Sequence, residues 1–157
     1  PHRNAKNPIN NADIIYTPDV AVFKTDTNHP KLMDEKDWYD VDVITCVAPN
    51  LRERPSNRFN QNNGDHAVKV SDKELFEIHK KRLTRILDVA ALNNAEVVIL
   101  GAFGCGAFQN KPEVVSRAAK EVITEYLHVF KTIEFAVYCS PRDDTNFRVF
   151  KRVLGMM

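Results

Sequence analysis

The sequence predicts a single α/β domain built on a mostly parallel sheet, and three observations point that way. Short, β-branched apolar runs at 40–48, 96–100 and 131–139 have the length and continuity of buried strands. The stretches 71–93 and 111–123 carry apolar residues three and four apart, the period of a helix with one buried face. From residue 41 on, the order is therefore β-α-β-α-β-α, the layout in which helices connect parallel strands.

Taken in order, residues 12–24 read as two short strands broken at Thr17-Pro18-Asp19, because proline beside aspartate is turn chemistry. Residues 25–37 are polar and irregular, and the strand at 40–48 stops at Pro49-Asn50. A long loop rich in Asn and Arg, with Gly64, runs from Leu51 to about Lys69; loops of that length are uncommon in compact domains. Ser71-Asp-Lys-Glu74 is a capping box that opens a helix to about Asn93. Its face carries Leu75, Ile78, Leu83, Ile86, Leu87 and Ala90. After the strand at 96–100 and a glycine loop, Asn110 is the expected N-cap of the next helix, with Pro112 in its first turn. A final helix at about 144–154 places Phe147, Phe150, Val153 and Leu154 at helical spacing and ends at Gly155.

Composition bounds the rest. A chain of 157 residues suits one domain, 1–157, large enough to bury a core. Twenty-two Lys and Arg against 21 Asp and Glu give a net charge of +1. A balance this even offers no electrostatic case for a nucleic-acid groove or a membrane surface, so no direct nucleic-acid binding and no membrane partner is expected. No apolar run reaches membrane-spanning length and no signal-peptide pattern is present. Cys46, Cys105 and Cys139 match neither a disulfide framework nor a zinc spacing, which favours a cytoplasmic location. Cys46 and Cys139 lie in apolar runs and read as small buried hydrophobes; Cys105, in the glycine loop, reads as more exposed, with a packing role preferred to a nucleophilic one. Histidines 2, 29, 66, 79 and 128 form no metal spacing, with 79 and 128 read as partly buried on helix faces, and neither a metal nor a cofactor is expected.

In an open α/β sheet, ligands sit at the carboxyl ends of the strands. Ala48-Pro49-Asn50, the loop 101–110 and Ser140–Asp143 should therefore line one rim. Gly101, Gly104 and Gly106 lie between a strand and a helix N-terminus, where backbone N–H groups can converge on an anion. The order Gly-x-x-Gly-x-Gly is neither the dinucleotide fingerprint nor a Walker loop. By itself the pattern serves equally as a tight turn packing helix on strand. Asn50 suits either ligand contact or a turn cap, and for Arg52, Arg54 and Arg58 a solvated loop is preferred to attraction of polymer phosphates.

Gly104-Cys105-Gly106-Ala107-Phe108, followed by Asn110-x-Pro112-Glu113-Val114-Val115, resembles the diphosphate-binding loop of microbial-type poly(ADP-ribose) glycohydrolases. The likeness extends to Ile15–Phe23, to Thr45-x-x-Ala48-Pro49-Asn50 and to Val97–Ala102, and so covers most of the chain. It implies a macrodomain-like three-layer sandwich with a mostly parallel sheet, incomplete at its N-terminal side. It also implies ADP-ribose or poly(ADP-ribose) as ligand, ADP-ribosylated proteins as partners, and hydrolysis of ribose–ribose glycosidic bonds by the complete domain. Ligand contacts would fall to Gly104, Cys105, Gly106, Ala107, Phe108 and Asn50, with Phe108 positioning the distal ribose.

This chain departs from the family's pattern in three places. Phe103 stands where Trp is common and Gln109 where Gly is usual. The family's catalytic Gly-Gly-Gly…Gln-Glu-Glu element has no counterpart, since the chain contains neither a Gly-Gly nor a Glu-Glu dipeptide. Glycosidic cleavage needs a carboxylic acid to protonate the leaving oxygen. Asp143-Asp144 reads instead as a helix cap, so no catalytic residue is assigned within the chain. The resemblance therefore implies the C-terminal part of a larger catalytic domain, and the start at Pro1 rather than Met suits a processed product or a fragment alike. A non-catalytic ADP-ribose reader and a structural remnant are the alternatives.

Overall fold

The computed structural model describes residues 7–56 and 66–155, so Arg58 and Gly64 of the long loop lie outside the described residues. The expected α/β architecture is present, with four strands and three α-helices among those residues.

The first strand, β1 (Ile14–Val22), is continuous where the sequence suggested two. Pro18 and Asp19 are absorbed as a bulge in the antiparallel ladder to β2 (Tyr39–Cys46), with the register shifting between Thr17 and Val20. Asp19 takes the left-handed conformation, φ 54°, and its N–H donates to Asp42 Oδ1 at 3.1 Å. The Tyr16 hydroxyl donates to the other oxygen of the same carboxylate at 2.6 Å. One β2 side chain thus holds the extra residues of the bulge in place, and proline is tolerated where a ladder is interrupted.

Helix α1 (Asp72–Leu92) starts at the expected capping box: Glu74 N–H donates to Ser71 Oγ and Ser71 N–H donates to Glu74 Oε2. Its buried face is Leu75, His79, Arg82, Leu83, Ile86, Leu87 and Ala90. His79 and Arg82 thus lie within the apolar stripe. The parallel pair β3 (Val97–Leu100) and β4 (Thr132–Phe135) brackets α2 (Pro112–Glu125), which presents Val114, Val115, Ala118, Ala119, Val122 and Ile123. Helix α3 (Thr145–Leu154) buries Val149 and Phe150, the latter against Phe135.

Several expectations are corrected. The fourth strand ends at Phe135, so Cys139 is exposed; Cys46 is only half-buried. Cys105 is the buried cysteine, packed with Val115 and Phe150. The N-cap of α2 is Lys111, not Asn110, whose side chain is used elsewhere. His128 falls in an exposed turn after α2, whereas His79 is fully buried.

Both strand pairs rest on one helix layer. Ile14, Ile44 and Cys46 from one pair, and Val98, Leu100, Ile133 and Phe135 from the other, pack on the core of Leu83, Leu87, Ala119, Val122 and Ile123. Yet among the described residues β2 bonds only to β1, and β3 only to β4. Between β2 and β3 lies an open cavity of about 860 Å3. Strand residues alternate across the sheet: Val98 and Leu100 face the helices, while Val97 and Ile99 face away and are 53% and 66% exposed.

Candidate functional site

The carboxyl ends of β2 and β3 meet on one rim, and three asparagines and one arginine hold them there. The Asn110 side chain is 2% exposed and organises the glycine loop. Its Nδ2 donates to Pro49 O at 2.7 Å, Gly104 O at 3.0 Å and Phe108 O at 3.2 Å. Its Oδ1 accepts from His79 Nε2 at 2.8 Å. An amide oxygen can only accept, so Nε2 carries the proton and Nδ1 is left as a bare acceptor. That Nδ1 is buried without a partner, and burial pulls the His79 pKa down to about 4. The ring also meets Phe103 edge-on, with centroids 5.4 Å apart.

Arg82 does for the β2 end what Asn110 does for the loop. Its guanidinium donates to Val47 O at 2.8 Å, Ile9 O at 2.8 Å and Asn10 O at 3.0 Å. Burial lowers its pKa, and three carbonyl dipoles compensate the charge that burial would otherwise penalise. Asn10, left-handed at φ 60°, returns Nδ2 to Ala48 O at 2.9 Å. Asn50 is entirely buried; its Nδ2 donates to Pro55 O, and its Oδ1 accepts from Arg52 Nε at 3.1 Å. Both ends of that side chain are committed inside the loop, which is the turn-holding alternative of the two the sequence left open.

The glycine loop itself has two halves. In the first, Phe103 N–H donates to Gly101 O and Cys105 N–H to Ala102 O, each at 2.9 Å. Gly104, at φ 77°, lies so close to the β2 end that an added Cβ would come 2.6 Å from Ala48 Cβ. Burial pushes the Cys105 thiol up to about 12, so it is a packing group and not a thiolate. In the second half, the amides of Gly106, Ala107 and Phe108 donate to nothing among the described residues. Gly106 and Ala107 are exposed, and the space beside Gly106 is open. Gln109 and Asn110 then close the turn on Gly106 O and Gly104 O, and α2 begins two residues later. Three successive amides with no acceptor among the described residues, beside a helix N-terminus, are the kind of donor set from which oxyanions accept.

Phe108, the last of those three residues, is half-buried, with the Arg52 guanidinium 5.7 Å from its ring centroid. Arg52 is therefore folded onto the rim, where a solvated loop charge was the preferred expectation. Asp144 is the N-cap of α3 without a side-chain cap bond; Asp143, one residue earlier, accepts from Thr145 N–H at 2.9 Å, and this bond holds its pKa below the usual carboxylate range. Asp144 pairs with Arg148. Held low in this way, the Asp143 carboxyl is not a proton donor at neutral pH. No cluster of His, Cys, Asp and Glu suited to a metal occurs among the described residues. Nor is any helix there long and apolar enough to cross a membrane.

Sequence reasoning passed over Asn110 as a loop clamp and Arg82 as a strand clamp. The signal for Arg82 was available: it falls three residues after His79 and one before Leu83, inside the apolar stripe. Nothing local marked Asn110, because its partners lie at positions 49, 79, 104 and 108.

No family model matches the chain, and no curated protein matches it. Solved structures do. The poly(ADP-ribose) glycohydrolase of Deinococcus radiodurans, in complex with ADP-ribose, is 28% identical, with a TM-score of 0.74 over 96% of this chain and 55% of its own. The Thermomonospora curvata poly(ADP-ribose) glycohydrolase bound to the inhibitor ADP-HPD is 25% identical, with a TM-score of 0.77 over 96% of this chain and 52% of its own. The apo Deinococcus enzyme gives a TM-score of 0.70 at 26% identity, covering 96% of this chain. The chain thus has a poly(ADP-ribose) glycohydrolase-like macrodomain fold, and it spans about half the length of the structures it matches.

Proposed function

We propose that this chain binds ADP-ribose at the rim formed by its glycine loop, as the ligand-binding part of a poly(ADP-ribose) glycohydrolase-like domain. The observation that carries this reading is the run of unbonded amides at Gly106, Ala107 and Phe108 ahead of α2. Three N–H donors fixed in advance suit the oxygens of a diphosphate, because no ordering cost remains when the ligand arrives. Gly104 and Cys105 support these donors from beneath, and Phe108 with Arg52 offers a ring and a cation to the ribose beyond them. Asn50 holds the turn on which Arg52 depends.

Binding and cleavage separate here. Hydrolysis of ribose–ribose bonds requires an acid that is protonated when the leaving oxygen departs. The rim carboxylates at Asp143 and Asp144 are already committed to a backbone hydrogen bond and an ion pair. The chain alone therefore binds without cleaving, and hydrolysis belongs to a complete domain acting on poly(ADP-ribose) or ADP-ribosylated proteins. Three cysteines outside any disulfide favour the cytoplasm as its compartment.

Calorimetric titration of ADP-ribose, with AMP and ribose 5-phosphate as controls, tests the binding claim. Selective heat with ADP-ribose is expected; equal or absent heats across the three ligands would end the reading. Incubation with poly(ADP-ribose) tests the second claim. Release of ADP-ribose by this chain alone would show that an acid has been overlooked.

A further inference from the structure

Stability alone does not account for the histidine beneath the glycine loop. His79 lies on the apolar stripe of α1 between Leu75 and Leu83 and is 0% exposed. Its Nδ1 has no hydrogen-bond partner among the described residues. A buried acceptor left unpaired costs free energy, and an apolar side chain of similar volume would avoid that cost. What an apolar side chain lacks is a donor. His79 has one, Nε2–H, and delivers it to Asn110 Oδ1 at 2.8 Å.

That bond lies behind the free amides of the loop. Asn110 Nδ2 holds Gly104 O at 3.0 Å and Phe108 O at 3.2 Å, and these two carbonyls bracket the N–H groups of Gly106, Ala107 and Phe108 along the chain. The same nitrogen reaches Pro49 O, which ties the loop to the end of β2. Three bonds converging on one nitrogen fix a point. The fourth, at the oxygen of the same planar amide, fixes the angle of its plane. The proton position is fixed as well, because a proton on Nδ1 instead would leave two bare acceptors facing each other. Phe103 meets the imidazole edge-on, so His79 touches the loop near its start and at its end.

We infer that His79 is a positioning residue for ADP-ribose: its Nε2–H, acting through the Asn110 amide, sets the direction of the Gly106–Phe108 donors. The inference rests on the ligand reading above and deepens it, since a side chain that no ligand can touch then carries part of the affinity. Hydrogen bonds weaken steeply with angle, so a small rotation of the loop peptides is enough. A purely structural histidine would lower stability and affinity together. A positioning histidine separates them. In His79→Leu the unpaired Nδ1 disappears and Asn110 Oδ1 becomes unpaired in its place, so one buried acceptor replaces another.

The test compares His79→Leu with His79→Gln, whose side-chain N–H reaches the place of Nε2. In His79→Leu the ADP-ribose affinity read by calorimetry should fall about tenfold. Its thermal midpoint should move by less than about 4 °C. His79→Gln should recover the affinity to within about threefold of the unaltered chain. Full affinity in His79→Leu would overturn the inference, and so would a loss that glutamine does not recover. Ring-nitrogen NMR shifts of the unaltered chain give a check that needs no variant: a protonated Nε2 and a bare Nδ1 are expected, and the opposite tautomer would overturn the inference. Failure of the ligand reading shows separately, as absent ADP-ribose heat in the unaltered chain. Even then, the Asn110 Nδ2 protons and the Gly106–Phe108 amides of the ligand-free protein report on His79. Their resonances should shift in His79→Leu and return in His79→Gln; resonances that leucine leaves unmoved would end the positioning role.

Discussion

The rim and the middle of the sheet are built on opposite terms. At the rim, His79 Nδ1 is the one buried side-chain polar atom without a partner among the described residues: Asn110 serves three carbonyls, Arg82 serves three more, and Asn10 and Asn50 close the turns. A few ångströms away, β2 and β3 face each other across a cavity with no bond between them. The difference teaches that a loop can be pre-organised by side-chain clamps without a completed sheet beneath it. Helix α1 serves both regions, giving His79 and Arg82 to the rim and Leu83, Ile86 and Ala90 to the cavity floor.

The sharpest way to break that comparison is Asn110→Ala. It strips the donor from three carbonyls and the acceptor from His79, and each buried group left unpaired costs roughly 1–3 kcal/mol. A loss of about 4 kcal/mol in urea unfolding is expected, with ADP-ribose binding lost as well. A loss below about 1 kcal/mol would mean that the loop holds its shape without the clamp.

Acid should weaken the same region. The folded-state pKa of His79 lies near 4, below its ordinary 6.5, because burial disfavours the imidazolium. Between those values the unfolded chain binds the extra proton, so stability is complete above about pH 6.5 and falls as pH drops towards 4. The expected loss is about 3 kcal/mol across that window, read as unfolding free energy against pH. His79→Leu should flatten that slope; an unchanged slope would assign it to other groups.

Gly104→Ala comes next. A side chain there must adopt φ 77° and push Ala48 aside, which together cost about 2–3 kcal/mol, and the loop amides should lose their alignment. Gly106→Ala is the contrasting control, since its Cβ meets nothing within 4 Å. Its stability should change by less than about 1 kcal/mol. Any fall in ADP-ribose affinity in that variant then reports on the ligand face of the loop. Equal destabilisation by the two alanines would erase the distinction between the inner and outer halves of the loop.

The helices were legible because their signals are local. Ser71 and Glu74 cap α1 from three residues apart, and apolar residues at spacings of three and four mark the buried faces of α1 and α2, whereas in α3 Phe150 is buried and Phe147 is exposed. The glycine loop was legible as well, through three glycines between a strand and a helix. Strand boundaries were not, since a strand ends where its partner ends: Cys139 continues an apolar run past Phe135, where the β3 partner has already turned into the loop. The Pro18-Asp19 signal was genuine turn chemistry, but Asp42 from the neighbouring strand converted a break into a bulge.

By itself, then, the sequence determined the α/β class, the order of elements and the position of the glycine loop, all of which follow from contacts within a few residues. Tertiary structure alone decided which polar side chains become clamps and where the sheet stays open. Asn110 looks like a helix cap until Pro49, His79 and Gly104 are brought around it. The gap between β2 and β3 has no mark in the sequence, because an unpaired edge is defined by a neighbour that is not there, and spacing along a chain carries no record of it.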